Sequence, residues 1–376
     1  MKHNRENHDN RVLVLDAAYD DTMLSDLLDR IFQEMPLDLA GRTVLVKPNI
    51  LGAHPPEKAV TTHPSLVRAV VKKLAQAGAV VMVGDNPGVS GYGRARHAAS
   101  VSGISAAAGG SFVYLGRRPV KYALTSPDIH DVIIADDVLQ ANLVINLPKL
   151  KTHALTVYTG AVKNTFGYIV GGDKMRIHAD APTPGRFARA LVDIYAIRPP
   201  ELTIMDAVTV MEGNGPNSGT PRHMGKIIAG RNAVSVDAVA VRFAGVRPET
   251  VPHLVIATQM GLGTLDLNEI YINTAIKAAD DFKMPATFLP GFMGIVLNRL
   301  FSRWINCTPV VVPEACRQCG ICVDHCPVGA MTMTEGDFPR ADKSACIHCY
   351  CCQEMCQEDA INLKGGLLSW IRPGGR

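Results

Sequence analysis

Cysteine is missing from the first 306 residues of this 376-residue chain, and nine of its ten cysteines fall in the last 61. A secreted protein held by disulfides does not distribute them so. Tryptophan is scarce, at two residues, and no apolar run reaches the roughly 18 residues of a membrane span. The best candidate, Phe288 to Leu297, is ten residues long and carries Pro290, Gly291 and Gly294. The N-terminus, MKHNRENHDNR, is polar and lacks an apolar core of signal-peptide length; a disordered leader is expected over residues 1–10. No G-x-G-x-x-G follows a strand, so a dinucleotide fingerprint is unsupported, and no G-x4-G-K-[ST] loop marks a P-loop ATPase. A Lys/Arg stripe with interleaved aromatics is also lacking, which argues against nucleic acid as a partner.

What is present is an ordinary globular composition, 47% hydrophobic and 19% charged, in a chain long enough for two domains. The net charge of +3 hides an asymmetry. Residues 314–364 hold eight Asp/Glu against four Lys/Arg, a net −4, which leaves +7 on the remainder. An acidic segment beside a mildly basic one suggests docking within the chain and a preference for anionic small molecules.

The acidic segment reads C316-x2-C319-x2-C322-x3-C326-P and then C346-x2-C349-x2-C352-x3-C356. Zinc takes four ligands per ion and gives no reason for this doubled, fixed spacing, whereas a 4Fe–4S cube fed by tight C-x2-C-x2-C loops does. The segment resembles two-cluster bacterial-type ferredoxins. That resemblance implies two 4Fe–4S clusters, one on Cys316, Cys319, Cys322 and Cys356, the other on Cys346, Cys349, Cys352 and Cys326. Gln357 replaces the second proline of the family pattern, which alters a turn and removes no ligand. Cys307 and Cys351 are left over; Cys351 is either a bystander or a substitute for Cys352 in a shifted loop. Exposed clusters favour a reducing or anaerobic cytoplasm.

Ahead of the cysteines, apolar runs alternate with helical periodicity. Strands are expected at Val12–Asp16, Thr43–Lys47, Ala79–Val83, Val132–Ala135, Leu143–Asn146, Leu202–Met205 and Ile227–Ala229. Helices are expected at Met23–Met35, from Pro64 to Gly78, at Phe187–Ile197 and at Val234–Phe243. The rhythm implies an α/β domain over 11–280, a mostly parallel sheet flanked by helices. A connector over 281–313, with Trp304 and Ile305 packed on a domain, leads to a small α+β ferredoxin-like domain at 314–364 and a tail at 365–376.

In open α/β sheets ligands bind beyond the carboxyl ends of the strands. Polar residues stand at those ends here: Lys47 and Asn49; Asp85 and Asn86; Asn146, Lys149, Lys151, Thr152 and His153; Asp206, Glu212 and Asn214. The loop expected from Lys149 to Gly167 is the richest. Lys149, Lys151 and Lys163 suit phosphate or carboxylate, Thr156, Thr159, Gly160 and Asn164 add polar contacts, and a helix starting near Gly160 would present its positive end. His153 is either a proton donor or acceptor or a hydrogen-bonded structural histidine. Glu212 is a general acid or base, a divalent-metal ligand or a loop cap. The candidate catalytic set is His153, Asp85 and Glu212.

The segments VLVKPNILG, TTHPSLVRAVVKKLAQAGA, VGDNPG, NLPKLKTH, TGAVKNTFG, DAVTVMEGNGPNSG and SVDAVAVRFAG resemble the family called domain of unknown function 362, over about residues 40–260. The resemblance implies an iron–sulfur protein of the bacterial or archaeal cytoplasm and little agreed chemistry. The run His153-x6-Gly160-x2-Lys163 is weakly similar to the N-terminal domain of nickel-pincer lactate racemases, and no residue role is carried over from it. The expected function is a redox enzyme whose clusters relay electrons from a soluble carrier to an anionic substrate in the α/β crevice. The rivals are a non-enzymatic electron-transfer or cluster-handling partner of another redox protein, and a non-redox enzyme with structural clusters.

Overall fold

In the computed structural model, residues 9–88, 95–279, 281–288 and 307–364 are described. The leader (residues 1–8), most of the connector with Trp304 and Ile305 (residues 289–306) and the tail (365–376) lie outside them. The apolar runs assemble into one nine-stranded sheet. Its strands are β1 (Arg11–Asp16), β2 (Thr43–Pro48), β3 (Val80–Val83), β6 (Leu143–Leu147), β7 (Lys149–His153), β8 (Val157–Thr159), β9 (Leu202–Glu212), β10 (Thr220–Gly230) and β11 (Tyr271–Ile272), and β4 (Pro119–Ala123) with β5 (Asp131–Ala135) forms a separate hairpin. The order is β11-β1-β10-β9-β6-β2-β3, with β7 on β9 and β8 on β7. Five of the eight pairings are parallel, so the sheet is mostly parallel.

Alternation within the strands feeds two cores. Leu13, Leu15, Val44, Val46, Ile145 and Leu147 face helices Asp21–Glu34 and Pro64–Gln76. Val12, Val14, Met205 and Ile228 face helices Pro184–Ile197, Ala233–Phe243 and Pro252–Gln259. Apolar residues on both sides of each strand require this two-sided cover. Local chemistry sets the helix starts. The side chains of Asp20, His63, Thr183 and Asn232 accept from backbone N–H groups two or three residues on, and Pro64 and Pro184 occupy first-turn positions where an N–H is not needed.

The sequence reading fell short in three places. β9 does not stop at Met205 but runs to Glu212, paired along its length with β10. Lys149–His153 is a fully buried strand, not a loop, although KLKTH has no apolar alternation. In both cases the polar side chains find partners, so the backbone can continue its ladder. Val132–Ala135 pairs with β4, which the reading missed, and takes no part in the large sheet.

The chain from Leu143 to His153 follows β9, interrupted at Pro148. Before Pro148 it also pairs with β2; beyond it, β8 replaces β2 as neighbour. The parting of β2 from β7 and β8 opens a crevice at the carboxyl end of the parallel strands.

The cysteine-rich module begins earlier than residue 314, because β12 (Thr308–Val311) pairs with β15 (Ile361–Lys364). A second ribbon, β13 (Met331–Thr332) with β14 (Arg340–Ala341), and short helices at Ile321–Asp324 and Cys351–Met355 complete it.

Candidate functional site

At the end of β2, Lys47 is fully buried, and its Nζ lies 2.7 Å from Asp85 Oδ1, 2.9 Å from the Pro48 carbonyl and 3.2 Å from Asn164 Oδ1. Asp85 Oδ2 accepts from Ile50 N at 2.6 Å. Burial raises the Asp85 carboxyl and lowers the Lys47 ammonium, while each charge works against that drift in the other. Asn49 donates to Asn164 Oδ1, and Asn86 donates twice to the Gly167 carbonyl. A side chain at Gly167 would collide with both Asp85 and Lys47, so glycine is needed for the close approach.

The short helix Ala161–Asn164 carries Lys163 and Asn164 into this crevice. Its N-terminal N–H groups are not free for a ligand, contrary to the sequence reading. Asp237 Oδ1 accepts from Ala161 N at 2.6 Å and from Tyr158 OH at 3.0 Å, and Oδ2 accepts from Val162 N at 2.9 Å. Burial raises the Asp237 carboxyl to about 7. Lys163 itself lies over the Phe166 ring, 5.9 Å from its centroid, with its pKa lowered by burial.

Three titratable crevice residues escaped the candidate set, Lys174, His178 and, from the module, Glu354. Lys174 and His178 stand four apart on helix Asp173–Asp180, a spacing that places them on one face and could have flagged them. Lys174 donates to the Asn86 and Pro87 carbonyls, and burial lowers it to about 7. His178 stacks on Phe187, and burial lowers it to about 3.

The roof of the crevice is the module's helix Cys351–Met355, which contributes Cys351, Glu354 and Met355. Glu354 Oε1 lies 3.0 Å from His153 Nε2. His153 Nδ1 accepts from Leu155 N and Thr156 N, so Nε2 carries the proton. Burial, then the Lys163 charge, lowers His153 to about 4; burial raises Glu354, but His153 and Lys163 outweigh it and hold the carboxyl down to about 2. A neutral imidazole set against a carboxylate therefore stands where the two parts of the chain meet. Around it, Asn217 donates to the carbonyls of Gln353, Glu354 and Cys356, and Gln353 donates to the Asn214 carbonyl.

The remaining candidates lie elsewhere. Lys149 donates to Asp206 at 2.8 Å and to Tyr19 OH at 3.0 Å, a closed buried network. Lys151 donates to the Val60 carbonyl, and Thr152 Oγ1 accepts from Gly215 N. Glu212 sits 3.1 Å from Arg222 and accepts from Lys283 N, outside the crevice; of its three expected roles, the arrangement matches a strand-end cap. Asn214 Oδ1 accepts from Ala286 N.

Cys326, Cys346, Cys349 and Cys352 line one cavity of the module. Cys322 is pushed up to about 11 by burial and then by its neighbours Cys319, Cys356 and Cys316. Cys351 lines the crevice with its thiol also against that of Cys349, while Cys352 lines the cysteine cavity. The two halves repeat each other's backbone. Gln318 and Gly320 match His348 and Tyr350, and Gly329 matches Asp359, all at positive φ between 52° and 72°. Backbone N–H groups of Gln318, Ala330 and Ala360 donate to Cys316, Cys326 and Cys356 sulfurs. Among the described residues, no three Cys, His, Asp or Glu side chains converge on a single-ion site. Thiols spread round a cavity, most of them half-buried and mutually repelling as thiolates, fit a polynuclear cationic core.

The fold and site define an α/β protein carrying a ferredoxin-type 4Fe–4S module. The chain belongs to the family described as domain of unknown function (DUF362), which matches residues 44–242, and residues 309–332 match a 4Fe–4S binding domain. A thylakoid-associated protein of a Synechocystis strain is 30% identical over 270 residues, covering 70% of this chain and 83% of that protein. Among solved structures, the lactate racemase apoprotein of Thermoanaerobacterium thermosaccharolyticum has a TM-score of 0.40 at 14% identity, covering 64% of this chain and 59% of that one. A Thermotoga maritima protein has a TM-score of 0.41 at 10% identity, covering 62% and 61%. Among the described residues no helix is long and apolar enough to cross a membrane.

Proposed function

We propose that the protein is a cytoplasmic redox enzyme that binds a small anionic group in the crevice beneath the module and exchanges electrons with it through two 4Fe–4S clusters. One cluster is assigned to Cys316, Cys319, Cys322 and Cys356, the other to Cys326, Cys346, Cys349 and Cys352. When bound, such clusters store and pass single electrons, supplied here by an external one-electron carrier protein.

The observation that carries this reading is the shared helix. Cys352 lines the cysteine cavity while its neighbours Cys351 and Glu354 line the crevice, so an occupant of the crevice lies one side chain away from the thiol group. Inside the crevice, Lys163 has no hydrogen-bond or ion-pair partner among the described residues, whereas Lys47 is matched to Asp85. Thr159 Oγ1, which can donate, is buried there without a hydrogen-bond partner among the described residues. A buried ammonium with no direct hydrogen bond among the described residues, beside a hydroxyl donor, suits phosphate or carboxylate. Lys174, lowered to about 7, holds a proton that it can release or recover near neutral pH. The docked module excludes water, which strengthens these charges.

The test is electron paramagnetic resonance on anaerobically purified, dithionite-reduced protein, with iron and sulfide content measured first. About eight irons per chain are expected for two clusters, with a reduced signal that phosphorylated or carboxylated metabolites perturb or reoxidise and that Lys163→Ala renders indifferent. A signal indifferent to every small molecule would move the reading to an electron-transfer partner of another redox protein. Zinc in place of iron would overturn the cluster assignment.

A further inference from the structure

Among the described residues, the charged groups lining the crevice are Lys47, Lys163, Lys174, Asp85 and Glu354. Lys47 and Asp85 face each other at 2.7 Å and cancel, as an ion pair or as a neutral one. Lys163 brings one positive charge, and the Glu354 carboxylate, 3.0 Å from the His153 imidazole, brings one negative charge that Lys163 feels. Lys174, lowered to about 7 by burial, adds at most one positive charge, while His178, lowered to about 3, adds none, and neither does the Cys351 thiol. The lysines behind the wall change little. Lys149 is paired with Asp206, and Lys151 is driven toward its neutral form by burial and then by Lys163. The lining thus carries at most one net positive charge. A buried charge without a counter-charge is costly, so the crevice neutralises one negative charge and not two.

Three lining groups are left to hold that charge. Lys163 Nζ makes no direct hydrogen bond or ion pair among the described residues. Thr159 is 3% exposed, and its hydroxyl has no partner among them either. His178 also makes no hydrogen bond among the described residues. Its ring is fixed instead by stacking on Phe187, with centroids 4.1 Å apart, and by Phe166, set edge-on at 5.9 Å. A neutral imidazole keeps one N–H to donate. All three side chains line a space of about 70 Å³, which limits an occupant to a few heavy atoms.

We propose that the crevice selects a small carboxylate monoanion over phosphate and other dianions, the carboxylate being held by Lys163, Thr159 and His178. This rests on the reading of the crevice as an anion site and narrows its two ligand classes to one. The ammonium supplies the charge, and the hydroxyl and the imidazole N–H supply hydrogen bonds to the carboxylate oxygens without adding charge of their own.

Titration calorimetry on the full-length, cluster-loaded protein tests this at constant ionic strength and about pH 6.5, where Lys174 holds its proton. The probes are acetate, methanesulfonate and sulfate, whose charges are constant near that pH. Acetate and methanesulfonate carry one charge and sulfate two, while methanesulfonate shares the tetrahedral shape of sulfate. Acetate should bind at one site per chain and methanesulfonate comparably, with sulfate weaker by about tenfold or more. His178→Phe, which keeps a ring on Phe187 and removes the N–H, should weaken acetate about tenfold without lowering the melting temperature. Lys163→Ala should abolish binding. Sulfate binding as tightly as acetate would overturn the inference and leave the anion-site reading standing. Methanesulfonate failing along with sulfate would overturn it too, because shape and not charge would then select. Acetate affinity unchanged by His178→Phe would remove His178 from the site; if that variant destabilises the fold, the comparison of acetate with sulfate on the unaltered protein decides. Silence toward all three anions, or acetate binding that survives Lys163→Ala, would sink the anion-site reading itself.

Discussion

Lys47 and Asp85 form the charge pair on which the crevice is built, and both are buried. Removing one member of a buried pair leaves the other charged or forces it neutral, at about 3–5 kcal/mol. Asp85→Ala should therefore destabilise by roughly that amount, and Lys47→Met combined with Asp85→Ala should recover much of it. Chemical denaturation of the two variants checks this; equal losses in single and double variants would show that the pair is not coupled. Both residues were identifiable in the sequence as polar groups ending apolar strands. Their mutual pairing was not, because 38 positions separate them and only the β2–β3 register joins them. Lys149 and Glu212 carried the same signal and have other partners, Asp206 and Arg222. Residue type and strand-end position do not distinguish a ligand contact from a satisfied ion pair.

At the scale of elements, the loop between β9 and β10 does the positioning. Its Gly213 has φ of 80°, and Gly215 packs so closely against the Thr152 carbonyl that a Cβ would collide with it. These glycines bring Asn217 under the module helix, where one amide serves three carbonyls. Asn217→Ala should leave iron content unchanged while deuterium uptake at residues 351–356 rises severalfold, since three acceptors lose their donor. Unaltered exchange would mean that the Glu354–His153 contact and the Gln353–Asn214 hydrogen bond hold the helix without it. Helices such as Asp21–Glu34 and Pro184–Ile197 were legible from periodicity and caps. Strand β7 was not, because burial of Lys149, Lys151 and His153 depends on partners far away in the chain.

For the whole molecule, burial of histidine sets the response to acid. His54 and His153 are lowered to about 4, and His178 and His253 to about 3, chiefly by burial. The unfolded chain takes up these protons below about pH 6.5 while the folded one refuses them until pH 4 or 3. The stability these histidines contribute is therefore complete above about pH 6.5 and falls through the window from 6.5 to 4, by about 1.4 kcal/mol per pH unit for each withheld proton. Asp237, raised to about 7, opposes this with one proton of the other sign, so the net effect is still a loss. The melting temperature should drop steadily from pH 7 to pH 5, and His253→Leu, which removes an imidazole with neither nitrogen hydrogen-bonded, should flatten the drop. A melting temperature independent of pH would contradict this account.

The sequence by itself determined the cysteine module and its spacing, the α/β class, and the strand ends at which polar residues gather. Those features rest on contacts a few residues apart or on periodicity, which the chain carries locally. Only the tertiary structure decided which polar residues share the crevice, that Lys174, His178 and Glu354 belong to it, and that the module's helix closes it. Pairings across tens to hundreds of residues depend on sheet order, and sheet order is fixed by how whole faces bury against one another.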